Sequence, residues 1–303
     1  MTEADLVPEP ALLVVDKPRG PSSHQVARWV SEMLGVKAGH AGTLDPGVSG
    51  VLVVMLGRAV KLAPLLQRHD KEYICLMRLR KDAPEERVRE VARGFVGRIY
   101  QRPPRVSAVK RSLRIRRIHA IDILEVTGRD VLFRVECESG TYIRTLCHHL
   151  GLAMGTGAQM DELRRTRSAV FAEESARTLH EVLDAAEAAR EGYDAPLREM
   201  LISPAMAVAD LPAITVRDTA VDAVCRGAAL AGVGVLSQDP YARRDRVAIL
   251  DREGRLVAVG EALVKSAVVP PGQPGLCAAP RAVLMEPGTH PRGWTGSGPR
   301  SGR

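Results

Sequence analysis

Gly39-His40-Ala41-Gly42-Thr43-Leu44-Asp45-Pro46-Gly47 runs directly into the apolar stretch 50–56, Gly-Val-Leu-Val-Val-Met-Leu. Glycine admits backbone conformations closed to other residues and proline fixes φ, so the first part reads as an irregular loop. The second part reads as a buried core strand. One acid, Asp45, sits just before that strand. A carboxylate held rigidly there can act as a nucleophile or a general base. Asp-Pro is also a common turn pair, and residue chemistry by itself leaves both readings open.

Outward from this junction the pattern mixes strands and helices. Residues 11–15 (Ala-Leu-Leu-Val-Val) form a short apolar strand stopped by Asp16-Lys17-Pro18-Arg19-Gly20. Ser22 or Ser23 can cap a helix whose Val26, Val30, Met33 and Leu34 share one face, with Gly35 as its C-terminal stop. Lys71 to Arg80 reads as a strand. Asp82-Ala83-Pro84-Glu85 supplies an N-cap, an early proline and a glutamate for a helix through Arg93. The β-rich stretches 118–126 and 131–137 flank the turn Thr127-Gly128-Arg129-Asp130. Tyr142 to Met154 reads as helix, and Thr178-Leu179-His180-Glu181 is a capping box for another helix ending near Arg190. No regular βαβ alternation is present, so an α+β domain with a mixed, largely antiparallel sheet is expected.

A domain boundary falls near Asp210-Leu211-Pro212. Beyond it, short apolar runs at 213–216, 233–236, 246–250, 256–259 and 281–285 predict a small β-barrel or sandwich. Residues 288–303 are rich in Gly, Pro, Ser and Arg and are expected to form a disordered basic tail. The expected domains are therefore 1–210 and 211–287 with that tail.

Of the 303 residues 45% are apolar and 26% charged, as in ordinary globular proteins, and no apolar run approaches the ~20 residues of a membrane helix. Nothing near Met1 resembles a secretory signal, which predicts an intracellular protein. The five cysteines are dispersed without a Cys-x-x-Cys pair, and Cys147-His148-His149 lacks a second cluster to complete a tetrahedral site, so no metal is expected. The net charge of +7 points to a polyanionic partner. From Gln101 to Arg117 there are seven basic residues (Arg102, Arg105, Lys110, Arg111, Arg114, Arg116 and Arg117) and no acid. A run of one sign reads as a phosphate-contacting segment.

Four segments in order carry a family resemblance. Asp16-Lys17-Pro18-Arg19-Gly20-Pro21-Ser22-Ser23 and Gly39 to Gly47 resemble the first two motifs of pseudouridine synthases that act on the tRNA T-loop. Gly140-Thr141-Tyr142-Ile143-Arg144-Thr145-Leu146 and Leu163-Arg164-Arg165-Thr166 resemble later motifs. Gln101-Arg102-Pro103-Pro104 and Ser107-Ala108-Val109-Lys110-Arg111, with the arginine-rich sequel, are similar to the archaeal and eukaryotic dyskerin-type (centromere-binding-factor-like) branch, the catalytic subunit of box H/ACA ribonucleoproteins. Residues 218–228 and the ending Val283 to Arg292 resemble the RNA-binding PUA domain of that branch.

The resemblance implies a fold, an activity and roles for named residues. It implies a pseudouridine synthase fold with a C-terminal PUA barrel, acting on rRNA or tRNA without a cofactor. It also implies a guide RNA and small partner proteins, the chain being a monomer within the particle, in the cytoplasm of an archaeal-type cell or the nucleolus of a eukaryote. Asp45 would attack the flipped uridine at C1′ or C6, or abstract a proton in a glycal route. Tyr73 would stack on the base, and Arg144 would pair with Asp45 through a charge-assisted hydrogen bond. Tyr142 and Leu163 would line the pocket, His40 would face displaced RNA, and Lys17 would support the loop. Arg102, Arg105, Lys110, Arg111 and Arg114 would contact RNA from a thumb loop spanning about 101–117. Uridine C5 is out of reach in a stacked helix, which is why a flipping pocket is needed.

The chain departs from the branch in three places. Only about ten residues precede the first strand, residues 231–236 lack a proline-containing turn, and residues 270–280 read as a Pro/Gly-rich insertion. Two other readings stand beside the guide-dependent enzyme: a stand-alone T-loop synthase, and a catalytically silent RNA-binding scaffold. The presence of Asp45, Tyr73 and Arg144 speaks against the scaffold.

Overall fold

A computed structural model describes residues 6–7, 10–102 and 112–290. The chain divides into two compact units. Leu13–Val54 and Ala63–Met200 belong to the first, and residues 10–12, Met55–Leu62 and residues 201–290 belong to the second.

Up to residue 200 the elements follow as β1 (Ala11–Lys17), α1 (Ser23–Leu34), β2 (Ala38–Ala41), β3 (Ser49–Leu56), α2 (Ala63–Leu66), β4 (Lys71–Leu79), α3 (Glu85–Gly94), β5 (Gly97–Gln101), β6 (Arg114–Thr127), β7 (Asp130–Cys137), α4 (Ile143–Met154), β8 (Ala158–Ser168), β9 (Phe171–Ala172), α5 (Leu179–Arg190) and α6 (Ala195–Met200), all in the first unit except Ala11–Leu12 of β1 and Met55–Leu56 of β3. Among the described residues, nine strands form one sheet with the path β1-β3-β8-β4-β7-β6-β5; β2 pairs with β3 and β9 with β8. The β3–β8 pairing is parallel, while β4–β7, β4–β8, β5–β6 and β6–β7 are antiparallel. This is the mixed, largely antiparallel sheet expected from the sequence.

Gly50 through Leu56 are buried without interruption, because β3 lies inside the sheet and is covered on both faces. Ser22 caps α1 by accepting from the Gln25 amide at 3.1 Å, Val26, Val30 and Leu34 form its buried stripe, and Gly35 at φ 67° ends it. A second cluster, including Cys75, Met77, Phe133, Val135, Leu146 and Leu150, packs α4 on the sheet.

Several expected boundaries move. Helix α3 begins at Glu85 with Pro84 at the cap and no side-chain cap bond; Asp82 instead pairs with Arg129 at 2.7 Å. The basic run is not all loop: Gln101 ends β5, and Arg114, Arg116 and Arg117 lie on β6, where cross-strand pairing with residues 97–101 extends the hairpin. β8 carries so many charged side chains that apolar periodicity does not reveal it, yet it is a central strand.

The second unit contains β10 (Ala213–Val216), α7 (Asp218–Cys225), β11 (Leu230–Ala231), β12 (Val235–Gln238), β13 (Arg246–Leu250), β14 (Leu256–Ala262) and β15 (Leu276–Val283). Their order, β11-β15-β14-β13-β10-β12, forms a nearly closed, barrel-like sheet around Ile214, Val221, Val247, Ile249, Val257 and Cys277. Residues 276–280, expected to belong to an insertion, are the first five of the eight residues of β15. Residues 288–290, expected to begin a disordered tail, are anchored. The Gly288 amide donates to Asp222 at 2.8 Å, and His290 lies 3.4 Å from Asp251. Met55–Leu62 joins this unit through Arg58, which donates to Met285 O at 2.9 Å and pairs with Glu286, and Lys61, which donates to Val283 O at 2.6 Å.

Candidate active site

The segment from Gly42 to Gly50 is fixed by bonds that leave the Asp45 carboxylate outside. Val48 N donates to Asp45 O at 2.9 Å, closing a turn with Pro46 at its second position. Ser23 Oγ accepts from Leu44 N at 2.7 Å and donates to Leu44 O at 2.9 Å. Gly20 N donates to Pro46 O at 2.7 Å. Lys17, fully buried, donates to Val48 O and Pro18 O, each at 2.8 Å. Burial lowers the Lys17 pKa, and the Asp45 charge opposes that shift. With the backbone held in this way, the Asp45 side chain stays 69% exposed.

Arg144, in the first turn of α4, brings Nη2 to 3.8 Å from Asp45 Oδ2. The pair is therefore an ion pair without the charge-assisted hydrogen bond that the family resemblance implies, since 3.8 Å exceeds bonding range. Both side chains are more than half exposed, so water competes for each charge. Tyr142 caps α4, and its backbone is clamped by Gln101: Tyr142 N donates to Gln101 Oε1 at 2.9 Å, and Gln101 Nε2 donates to Tyr142 O at 3.1 Å. Gln101 is 1% exposed and ends β5, so the base of the basic segment is tied to the start of the Arg144 helix.

Tyr73 lies on β4 opposite Arg165 of β8, while Cys75 faces Leu163; both Tyr73 and Leu163 pack partly on the core. Burial raises the Tyr73 pKa, and the adjacent Arg165 charge opposes the rise. His40, on β2, is half-buried, with Nδ1 lacking a hydrogen-bond partner; burial and then His24 lower its pKa. Arg102 follows Gln101 and is exposed, and Arg114 pairs with Gln101 across the hairpin. Arg105, Lys110 and Arg111 lie outside the described residues.

Two buried cations under this site carry no apolar or periodic signature in the sequence. Arg165, 1% exposed, donates from Nε to Val51 O at 2.7 Å and from Nη2 to Gly42 O at 2.8 Å. Lys71, 4% exposed, donates to Gln67 O at 3.1 Å and to His69 O. Charged residues on strands usually face solvent, so their burial leaves no periodic signal. Only the position of Arg165 within Leu163-Arg164-Arg165-Thr166 could have marked it. Among the described residues no group of three or more His, Cys, Asp or Glu side chains could hold a metal ion; Cys147 instead contacts Cys75 at 3.6 Å. No helix among them is long and apolar enough to cross a membrane.

Residues 30–86 and 80–143 match the N-terminal domain of TruB family pseudouridylate synthases. A probable tRNA pseudouridine synthase B of Methanothermobacter thermautotrophicus is 50% identical over 283 residues, 92% of this chain and 87% of that protein. The chain belongs to the TruB family of pseudouridylate synthases. Residues 144–208 match the C-terminal domain of tRNA pseudouridylate synthase B, and residues 212–284 match the PUA domain. Among solved structures, one chain in an H/ACA RNP bound to a substrate RNA containing 2′-deoxyuridine superposes with TM-score 0.85 at 41% identity, covering 94% of this chain and 88% of that one. A chain of the archaeal box H/ACA sRNP Nop10-Cbf5 complex gives 0.84 at 41% identity, covering 94% and 89%. This TruB-family chain is a pseudouridine synthase of the TruB/Cbf5 type, with an α+β catalytic unit and a PUA domain.

Proposed function

We propose that the chain isomerises uridine to pseudouridine in rRNA or tRNA at sites chosen by an H/ACA guide RNA, with Asp45 as its catalytic carboxylate. The observation that carries this reading is the likeness, across 94% of the chain at TM-score 0.85, to a subunit of an H/ACA RNP holding substrate RNA. Small proteins of the kind named beside Cbf5 in the solved complexes, Nop10 and Gar1, are its expected partners.

The reaction breaks the N1–C1′ bond, turns the base and forms a C5–C1′ bond. The proton lost from C5 is balanced by one gained at N1, so no redox step is involved. The target nucleotide is extruded into the space beside Asp45. Attack at C1′, attack at C6 and proton abstraction in a glycal route each use the same exposed carboxylate. Arg144 orients and balances that carboxylate from 3.8 Å. Tyr73 stacks on the base, Tyr142 and Leu163 bound the pocket, and His40 faces the displaced strand. Lys17 holds the loop, and Arg102, Arg105, Lys110, Arg111 and Arg114 contact phosphates.

A guide-free enzyme acting on tRNA is the second reading, favoured by the names of curated relatives as probable tRNA pseudouridine synthases B. One assay separates the readings: pseudouridine formation on tRNA and on a guided target, with and without guide RNA and partner proteins. Turnover of the guided target only when guide is present is the expected result. Equal turnover of tRNA without guide would replace the guided reading by the second. Asp45→Asn should abolish turnover and leave RNA affinity in place; full activity in that variant would refute its role. Replacing Arg102, Arg105 and Lys110 together should weaken RNA binding and flatten its salt dependence by about one unit of slope for each phosphate no longer neutralised.

A further inference from the structure

Arg165 is the largest fully buried side chain among the described residues. None of the described carboxylates lies within ion-pair distance of it. Burying an unpaired guanidinium is costly, so its surroundings must offset the lost hydration. What offsets it is the pair of bonds to Gly42 O and Val51 O, together with the Tyr73 side chain as a further hydrogen-bond partner. Those carbonyls lie on either side of residues 43–50, so one planar fork closes the loop that carries Asp45. The same residue is the cross-strand partner of Tyr73 on β4 and of Gly50 on β3. Gly50 stands at φ 101°, and a Cβ there would lie 2.1 Å from Arg165 O, so loop and strand meet backbone to backbone.

We infer that Arg165 is a positioning residue for the isomerisation, a buried fork that fixes the Asp45 loop against Tyr73. This rests on the assignment of Asp45 under the proposed function. The Arg165 side chain has no exposed surface to offer RNA, so its effect falls on the placement of the reacting groups and not on RNA affinity. Lysine should not reproduce it, because Arg165 reaches the two carbonyls from separate nitrogens, Nε and Nη2, whereas an ammonium would have to bring one nitrogen within reach of both. Lys71 supports the same wall: its Cε lies 3.5 Å from where a Cβ on Gly42 would stand.

The test compares kcat at saturating RNA, RNA affinity and thermal unfolding for the full chain and four variants. Arg165→Lys should unfold cooperatively, bind RNA as the parent does and lose about 100-fold in kcat, the scale of a displacement near 1 Å. Arg165→Ala should recover part of its kcat when guanidinium ion is added at millimolar levels. Full kcat in Arg165→Lys, or a loss shared equally by kcat and RNA affinity, would overturn the inference. If Arg165→Lys does not fold, Gly42→Ala carries the test: its methyl would press to 3.3 Å from Arg165 Nη1, and at φ 76° it would also strain the loop that the fork closes. It should lower kcat without changing affinity, and unchanged kcat in it would likewise overturn the inference. Asp45→Asn is measured alongside: activity there defeats the Asp45 assignment, whereas an inactive Asp45→Asn beside a fully active Arg165→Lys defeats only the role of Arg165.

Discussion

Arg164 and Arg165 are consecutive on β8 and have opposite surroundings. Arg164 makes a bidentate pair with Asp16 at 2.9 and 3.1 Å and a third bond to Glu173 at 3.0 Å, and its side chain is 38% exposed. Arg165 is buried, meets none of the described carboxylates and bonds carbonyls on both sides of the Asp45 loop. Successive strand residues point to opposite faces, so a single step along the chain moves a guanidinium from a surface network to the floor beneath the proposed active site. A surface pair holds its charge among acids and water. The buried one is set against the carbonyls of the loop it shapes and the Tyr73 hydroxyl. Damage on the buried side should therefore reach the chemistry, and damage on the surface side should not.

The sharpest way to break the buried side is Gly50→Ala. The new Cβ would meet backbone at 2.1 Å and the residue would have to keep φ at 101°, so neither strand can yield without unzipping β3 from β8. Left-handed strain and overpacking together predict a loss of about 3 kcal/mol or more in unfolding free energy. Urea denaturation measures it. A midpoint within error of the parent would show that the β3–β8 junction has slack.

How much of this was legible in the sequence follows from the kinds of interaction involved. Apolar periodicity and caps locate β1, α1, β3, β7, α4 and α5, because burial of one face leaves a repeat that can be read. The Gly42–Gly50 loop and its lone acid are legible because glycine and proline announce irregular backbone. β8 is not legible in this way: Asp161, Glu162, Arg164, Arg165 and Arg167 hide a central strand, since its charges are satisfied by cross-strand partners and carbonyls that lie far away in sequence. Arg144 and Tyr73 reach the site through the family resemblance, because no local pattern brings residue 144 to residue 45. Arg165 and Lys71 show the same limit more strongly. Their importance lies in burial, and composition assigns charged residues to the surface.

A smaller effect belongs to Lys71. Burial, and then the Arg165 charge, push its pKa down from 10.5 to about 8. Between those values the unfolded chain keeps a proton that the folded chain has released, so this group's contribution makes stability rise with pH from about 8 to about 10.5. The slope is at most about 1.4 kcal/mol per pH unit. Denaturation of the parent and Lys71→Met at several pH values across that window should show the slope in the parent alone. Parallel curves would mean that Lys71 has no depressed pKa in the fold.

The smallest effect is expected on the exposed side of the comparison. Arg164→Ala leaves behind Asp16 and Glu173, whose side chains are 30% and 40% exposed and can be hydrated again. The coupling between Arg164 and Asp16 in a double-mutant cycle should therefore be about 1 kcal/mol or less, with kcat unchanged. Removing Arg165 would instead orphan the buried carbonyl of Val51, costing about 1–3 kcal/mol, and free the part-buried carbonyl of Gly42, which water can partly reach. A coupling near 3 kcal/mol for Arg164 with Asp16, or a fall in kcat for Arg164→Ala, would show that the surface network also holds the loop. Positioning would then belong to β8 as a whole strand, and the division between its two arginines would fail.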